Sequence, residues 1–559
     1  MWQRCPYLHP VLKIAFLLAL WMTLSTAQTQ QTVGVFINEP EAFTGYTLFS
    51  PSSAHNTYLI DNCGRQIHQW PGSHTPGQSV YLLTDGSITR TARITSAFLG
   101  GGSGGRIENI SWDGDLIWAY NYSSANVHQH HDIEPMPNGN ILVLAWERKS
   151  RAEAIEAGCN PAAVPQQGLW PDHIVELEPI GAADAEIVWE WHAWDHLIQD
   201  FDSSRPGFGV IGDHPERIDL NYPEPMFIDW LHCNSIDYEP TLDQILISVH
   251  SFSEIWIIDH STTTDEAAGS TGGNYGRGGD LLYRWGNPHA YDRGAQDERI
   301  FGGQHDARWI EPGVPGEGQI SVFNNSHGAG QDLYSSADFF LPLKDTAGMY
   351  VLSENGRYGP DSLSWSFHGM PDNSFYSARL SGVQRLPNGN TLICIGNLGK
   401  FIEVTSAGGI VWEYVSPLSG DNSVQQGSNP VLNDIFRAER YPVDYESFDA
   451  RNLMPGEPLE LNPLPLICND TLLLVTDFSN FSEIFFAPNP VSDLMYLSNP
   501  KQRSVSIDIF AGGRLCERFS GISVSQFEIG TDSWPPGLIL IVCTDEQTMK
   551  FRVIKLLKL

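Results

Sequence analysis

One short apolar strand that ends in an aromatic pair recurs six times along the chain, and no other feature restricts the fold as much. It reads Gln66–Trp70, Asp115–Tyr120, Glu186–Trp191, Asp280–Trp285, Leu363–Phe367 and Ile410–Tyr414. Turn signals precede several copies, as Pro-Asn-Gly-Asn at Pro137–Asn140 and Pro387–Asn390 and in looser form at Thr84–Gly86 and Thr241–Asp243. Asn-Gly and Asp-Gly supply the positive φ that a tight hairpin needs. A further strand sits between turn and aromatic ending, as in Ile174–Leu177, Ile255–Asp259 and Phe401–Thr405. Each unit therefore reads as a meander of about four antiparallel strands, the blade of a propeller. Seventeen Trp, 19 Tyr and 26 Phe beside 52 Gly and 36 Pro suit short strands and turns rather than helices. The expected fold class is all-β: a six-bladed β-propeller plus a small C-terminal β-sandwich domain.

Spacing between the copies is uneven, and the surplus is read as loops at His192–Tyr222, Ser261–Gly279 and Gly286–Gly303, expected to gather on the functional face. Residues 1–27 carry Arg4 and Lys13 but no acid, then the apolar run Ile14–Leu24 and a Ser-Thr-Ala exit, the pattern of a signal peptide. That run is too short for a membrane span, and no later stretch reaches the roughly 20 apolar residues a spanning helix needs. The propeller is assigned to residues 28–477, a linker to 478–483 and the sandwich to 484–559. Of the eight cysteines none makes a CxxC pair, and a bridge such as Cys516 to Cys543 is left open.

Formal net charge is −34, from 66 acidic against 32 basic residues. Residues 484–559 hold eight Lys/Arg and seven Asp/Glu, so the negative charge falls on the propeller. Such a surface repels polyanions and argues against nucleic acid as a partner. An anionic substrate would need a local cationic pocket within an acidic shell.

In a propeller the first strand of every blade lines the central channel, so residues at the starts of first strands converge from far apart in sequence. Those starts carry His128-Gln-His130-His131-Asp132, His232-Cys-Asn234-Ser-Ile-Asp237, Gln304-His305-Asp306-Ala-Arg308, and Tyr376-Ser-Ala-Arg379. Imidazole is a nucleophile or general acid/base near neutral pH, and guanidinium stabilises an oxyanion permanently. The ring suits transfer of an anionic group such as sulfuryl or phosphoryl. His128, His130 and His131 are read as structural or anion-facing rather than metal ligands, because neighbours on a strand point to opposite faces. Gly101-Gly-Ser103-Gly-Gly105 satisfies G-x-S-x-G only formally. With glycines on every side and no following helix it reads as a flexible loop.

His232–Tyr238, Gln304–Asp306, Val322–Asn325, Leu386–Leu392, Phe401–Thr405 and Ile410–Tyr414 together resemble the aryl-sulfate sulfotransferase family, over roughly residues 33–420. That resemblance implies a six-bladed propeller which moves a sulfuryl group from one phenol ester to another phenol, through a sulfohistidine, with no nucleotide donor and no cofactor. With the ring positions it assigns His305, His232 and Arg379 to catalysis and His131, Asn234 and His327 to substrate binding, and no metal. Two departures are present. Asn324-Asn-Ser-His-Gly-Ala329 lacks the arginine that the family carries after Asn-Asn-Gly, and Arg379 stands where relatives carry a histidine. These leave the alternative of a non-catalytic binding propeller that recognises a surface or sulfated ligand. A quinone-dependent dehydrogenase propeller is argued against by six units rather than eight and by the lack of a metal-binding triad. Phe486-Ala-Pro-Asn-Pro-Val491 and the basic end Lys550–Leu559 resemble the C-terminal sorting domain of the type IX secretion system. That resemblance implies the secretion machinery as a partner and a secreted or cell-surface location.

Overall fold

In a computed structural model the described residues are 31–327 and 333–464, followed by segments 485–487, 494–499, 501–511, 514–531, 534, 537–545 and 551–558. The signal-peptide and linker assignments lie outside them. The chain divides into two compact units, Met1–Asn469 and Asp470–Leu559.

Among the described residues the first unit holds six antiparallel sheets of four or five strands, beside two small two-stranded pairs. Their innermost strands are Pro76–Leu82, Val127–Pro135, Cys233–Glu239, His305–Trp309, Gly382–Arg385 and Ile435–Pro442. These touch one another in that order, and the last touches the first, so the row closes into a ring. The unit is all-β and propeller-like. The strands that carry the six aromatic endings all lie on the outer side of their sheets, with Gly34–Asn38 added beyond Ile410–Val415 as a fifth strand. The ring is closed by Ile435–Pro442 pairing with Gly45–Pro51.

The aromatic endings have a packing reason. At five junctions an outer-strand indole reaches the next sheet: Trp118 Nε1 donates to Asp184 O (2.9 Å), Trp189 to Thr262 Oγ1 (3.2 Å), Trp285 to Pro360 O (2.8 Å), Trp365 to Ser406 O (3.1 Å) and Trp412 to Asn62 O (2.8 Å). At the sixth, His68 Nε2 bonds Trp112 O at 2.8 Å while Trp70 packs edge-on against the Trp112 ring. Indole suits the position because it buries a large apolar face and still offers one donor to a turn carbonyl or hydroxyl.

The second unit holds a three-stranded and a four-stranded sheet that share one core, with Met495, Leu497 and Ile529 from one and Ile507, Ile509 and Ile541 from the other. Val505–Ala511 runs between the strands of Cys516 and Cys543, which places the two about two strand spacings, or ~9–10 Å, apart and too far for the bridge left open above. Cys63, in the first unit, is disulfide-bonded. Among the described residues no helix is long and apolar enough to cross a membrane.

Candidate functional site

The innermost strands do not run straight. His131 (φ 49°), His232 (φ 51°), Asp306 (φ 54°), Ser381 (φ 90°) and Gln78 (φ 137°) have positive φ at or beside the strand starts, and pairing registers slip next to His131, His232, Asp306 and Gln78. A bulge re-aims a side chain out of strand alternation. Simple alternation places His130 and His131 on opposite faces. Instead the bulge at His131 brings their Nδ1 atoms to 2.9 Å.

The re-aimed side chains form a continuous row of imidazoles. Ring centroids are 5.2 Å apart for His130 and His131, 4.7 Å for His131 and His232, 4.9 Å for His232 and His250, and 5.7 Å for His250 and His305. His131 and His305 are buried, His232 and His250 half-buried.

Two of these rings are held by their Nδ1 atoms. The Asn325 amide donates to the carbonyls of Ser377 (2.8 Å) and Leu380 (3.0 Å), so its Oδ1 is the atom that accepts from His305 Nδ1 at 2.8 Å. His305 Nε2 is left with a free lone pair. His232 Nδ1 lies 2.5 Å from Asp229 Oδ2, and Asp229 Oδ1 accepts from Trp146 Nε1 at 2.8 Å. Burial pushes His305 down to about 4, despite the Asn325 bond. Burial also works against charge on His232, yet the Asp229 carboxylate holds its pKa above the ordinary value. His131 and His250 are held far down by burial and by neighbouring imidazoles. The row thus sets an imidazole whose charge is disfavoured by burial near one whose proton is favoured by a carboxylate.

Beneath the row a buried ionic network ties all six innermost strands. Arg437 donates to Asp306 Oδ1 at 2.9 Å and to both Asp132 and Tyr81, while Tyr81 Oη also donates to Asp132 Oδ1 at 3.0 Å. The second carboxylate oxygens accept from Ile236 N (3.2 Å, Asp132) and Val383 N (2.8 Å, Asp306). Because Asp132 follows His131 and Asp306 follows His305, this network also fixes the backbone from which those two rings project.

The remaining residues singled out from sequence are placed as follows. Asn234 is buried and its amide donates to Gln304 O at 2.7 Å, anchoring the residue before His305. His327 Nε2 lies 2.8 Å from Asn324 Nδ2 and 2.7 Å from Ser336 Oγ, and its ring stacks on Tyr334. The Arg379 guanidinium is exposed and pairs with Asp434 at 2.9 Å. Among the described residues no hydrogen bond, ion pair or ring contact joins the side chains of His327 or Arg379 to the row, although Arg379 sits between the two carbonyls that clamp Asn325.

The glycine-rich segment is a loop with no helix after it, and it lies against the row. Gly102 O accepts from His131 N at 2.7 Å, and a Cβ on Gly102 would fall 2.2 Å from His131 Nε2. A Cβ on Gly101 would lie 3.4 Å from His232 Cε1. Of the long insertions, residues 194–217 and 270–280 wall a cavity of about 1040 Å³ that no member of the row lines. Only Gly286–Gly303 reaches the row, where Gly303 O lies 3.0 Å from His305 Nδ1. Among the described residues no group of three His, Cys, Asp or Glu is placed to hold a metal ion.

Sequence reasoning missed His250, Asp229 and Arg437. His250 follows a second strand rather than opening a first one, Asp229 lies in a loop, and Arg437 belongs to the ring-closing strand beyond the last aromatic copy. A charged residue beside a short apolar stretch, Ile435-Phe-Arg437-Ala, was the one available signal for the last.

The sequence model of the arylsulfotransferase (ASST) family matches residues 35–427. The chain belongs to that family. This arylsulfotransferase-family chain finds no match among curated proteins. Among solved structures it is similar to a protein of unknown function from Bacteroides caccae (12% identity, 71% of this chain and 98% of that one, TM-score 0.38). It is also similar to a streptogramin B lyase (10%, 74% and 95%, TM-score 0.34) and to the virginiamycin B lyase of Staphylococcus aureus (10%, 70% and 87%, TM-score 0.31).

Proposed function

We propose that this chain is an exported aryl-sulfate sulfotransferase built on a six-bladed propeller, with His305 as nucleophile and His232 as general acid and base. The observation that carries the reading is the pair of Nε2 atoms left unengaged at the starts of neighbouring innermost strands, one on a ring whose charge burial opposes and one on a ring whose proton the Asp229 carboxylate favours. His305 Nε2 attacks the sulfur of a phenolic sulfate ester. The S–O bond to the arene breaks, its electron pair leaves on the phenolate oxygen, and that oxygen takes the proton of His232 Nε2. An acceptor phenol then gives its proton to His232 while its oxygen attacks sulfur, and the N–S electron pair returns to His305. His131, Asn234 and His327 remain the proposed substrate-side residues, and Arg379 a rim cation that acts once it leaves Asp434.

The second reading, a binding protein of the same family without turnover, is favoured by one observation: Arg379 is tied to a carboxylate rather than turned to the row. Incubation with 4-nitrophenyl sulfate and a phenol separates the two. Nitrophenol release that depends on acceptor, with an acid-labile label on a histidine, supports transfer; absence of both sinks it.

Residues 28–477 are proposed as the propeller and 484–559 as a β-sandwich sorting domain recognised by type IX secretion machinery, after removal of residues 1–27. Detection of the protein in culture medium or on intact cells, lost when residues 484–559 are deleted, tests this assignment.

A further inference from the structure

The cavity of about 1040 Å³ walled by residues 194–217 and 270–280 stands apart from the histidine row. Its volume is at the upper end of the range of small-molecule sites, ~300–1000 Å³. His196, fully buried, lies 2.8 Å from Asp280 Oδ1 through Nδ1 and 2.8 Å from Ala267 O through Nε2, and so ties one long insertion to the other. The buried Gln199 amide fixes the first insertion from within. Its Oε1 accepts from Asp202 N (2.9 Å), and its Nε2 donates to the carbonyls of Asp202 (2.9 Å) and Pro206 (3.1 Å). Its backbone bonds Gly207 O and Gly209 N, each at 2.9 Å. Between those two glycines stands Phe208, 49% exposed on the cavity wall. A second ring on the wall, Trp194, has the Lys149 ammonium 5.4 Å from its centre and Trp230 edge-on at 6.4 Å. Aromatic faces held in place before binding lower the ordering cost of taking up a ligand.

Five carboxylates and two guanidinium groups line the same space. Four of the carboxylates are engaged: Glu153 by the Ser150 cap, Glu156 by Arg205, Glu216 by His214, and Asp280 by His196 and Arg217. Among the described residues the Asp195 carboxylate has no ion pair or hydrogen bond, and the Trp194 indole N–H has no acceptor. The Arg277 guanidinium pairs with no carboxylate there and reaches only Tyr358 Oη, at 3.3 Å. The carboxylate excess repels an anion, and the guanidinium groups oppose an ammonium ligand. A neutral hydroxyl, donor and acceptor at once, suits all three open partners. We propose that this cavity binds a neutral saccharide, its C–H face resting on Phe208 and Trp194 and its hydroxyls bonded to Asp195 and Arg277. The C–H bonds of a sugar ring carry slight positive charge and match the negative face of an aromatic ring. The site is separate from the transfer chemistry and does not depend on it.

The test is a printed array of neutral, amino, acidic and sulfated glycans probed with the labelled full chain, followed by calorimetry on the neutral glycan retained best. One saturable site is expected, weakened about tenfold by Phe208→Ser and by Asp195→Ala. Both changes are solvent-facing, and their unfolding midpoints should match the parent. His305→Ala should bind the same glycan as the parent does, because no member of the row lines the cavity. Retention of no neutral glycan, retention of charged glycans alone, unchanged affinity in either cavity variant, or loss of binding in His305→Ala overturns the proposal.

Discussion

Arg437 Nη1 donates to Asp306 Oδ1 at 2.9 Å, and that one bond joins two innermost strands with a third, Gly382–Arg385, between them. Arg437→Met would leave Asp132 buried without its cation, while Asp306 keeps Arg308 at 2.9 Å. An uncompensated buried charge costs about 3–5 kcal/mol, read as a lowered urea midpoint for the first unit. Adding Asp132→Asn to the same chain should recover part of the loss.

The histidine pair sets a pH profile. His305 must be neutral to attack, and it stays so until pH falls through about 4, where the acid limb of kcat/KM should lie. His232 must carry its proton, and with a pKa raised by Asp229 its loss should define an alkaline limb above the ordinary histidine range. Asp229→Asn removes the cause of that rise, so the alkaline limb should move to lower pH while the acid limb stays.

His305→Ala should lower acceptor-dependent transfer by ~10³-fold or more, as expected for loss of a covalent nucleophile acting with its partners. Asn325→Leu should lower kcat by ~10-fold, because it leaves the Gly303 carbonyl alone to hold the Nδ1 of the imidazole. Circular dichroism and the thermal midpoint should show both variants folded.

Gly102 has φ +73° and no room for a methyl group, since its Cβ would meet His131 Nε2 at 2.2 Å. Gly102→Ala should therefore displace the ring and reduce activity at least tenfold. Gly139, also at positive φ (+88°) but with nothing within 4 Å, is the control: Gly139→Ala should cost backbone strain, about 1 kcal/mol, and leave activity unchanged.

Trp118 and Trp70 are both buried at sheet junctions, but only Trp118 donates its indole N–H to the neighbouring sheet, while Trp70 Nε1 has no acceptor. Trp118→Phe should cost about 1 kcal/mol more than Trp70→Phe in urea unfolding, because it alone loses an indole hydrogen bond.

Much of the scaffold could be read because its signal is local. An aromatic pair at the end of an apolar run has to be written wherever an outer strand meets the next sheet, and Trp118, Trp189, Trp285 and Trp412 each perform that one task. His131, His232 and His305 were likewise visible as residues at the starts of first strands. What was not visible depends on distance in sequence. His250 joins the row because a turn after a second strand folds back between two bulges, and alternation gives no hint of a bulge whose cause is a positive φ at His131 or His232. Arg437 lies on a strand that can be recognised only by its pairing with Gly45–Pro51, nearly the whole first unit away. The placement of Arg379 beside Asp434 also follows from the tertiary fold rather than from its local segment.

That same pairing sets a schedule for synthesis. Gly45–Pro51 has Thr57–Ile60 on one side at once, but its other edge waits for Ile435–Pro442. At translation rates of about 5–20 residues per second, the edge stays open for roughly 20–80 s. An unpaired strand edge is a template for pairing with other chains. The interval between the first sheet's emergence and the arrival of its last strand is therefore the period in which this protein is most exposed to aggregation.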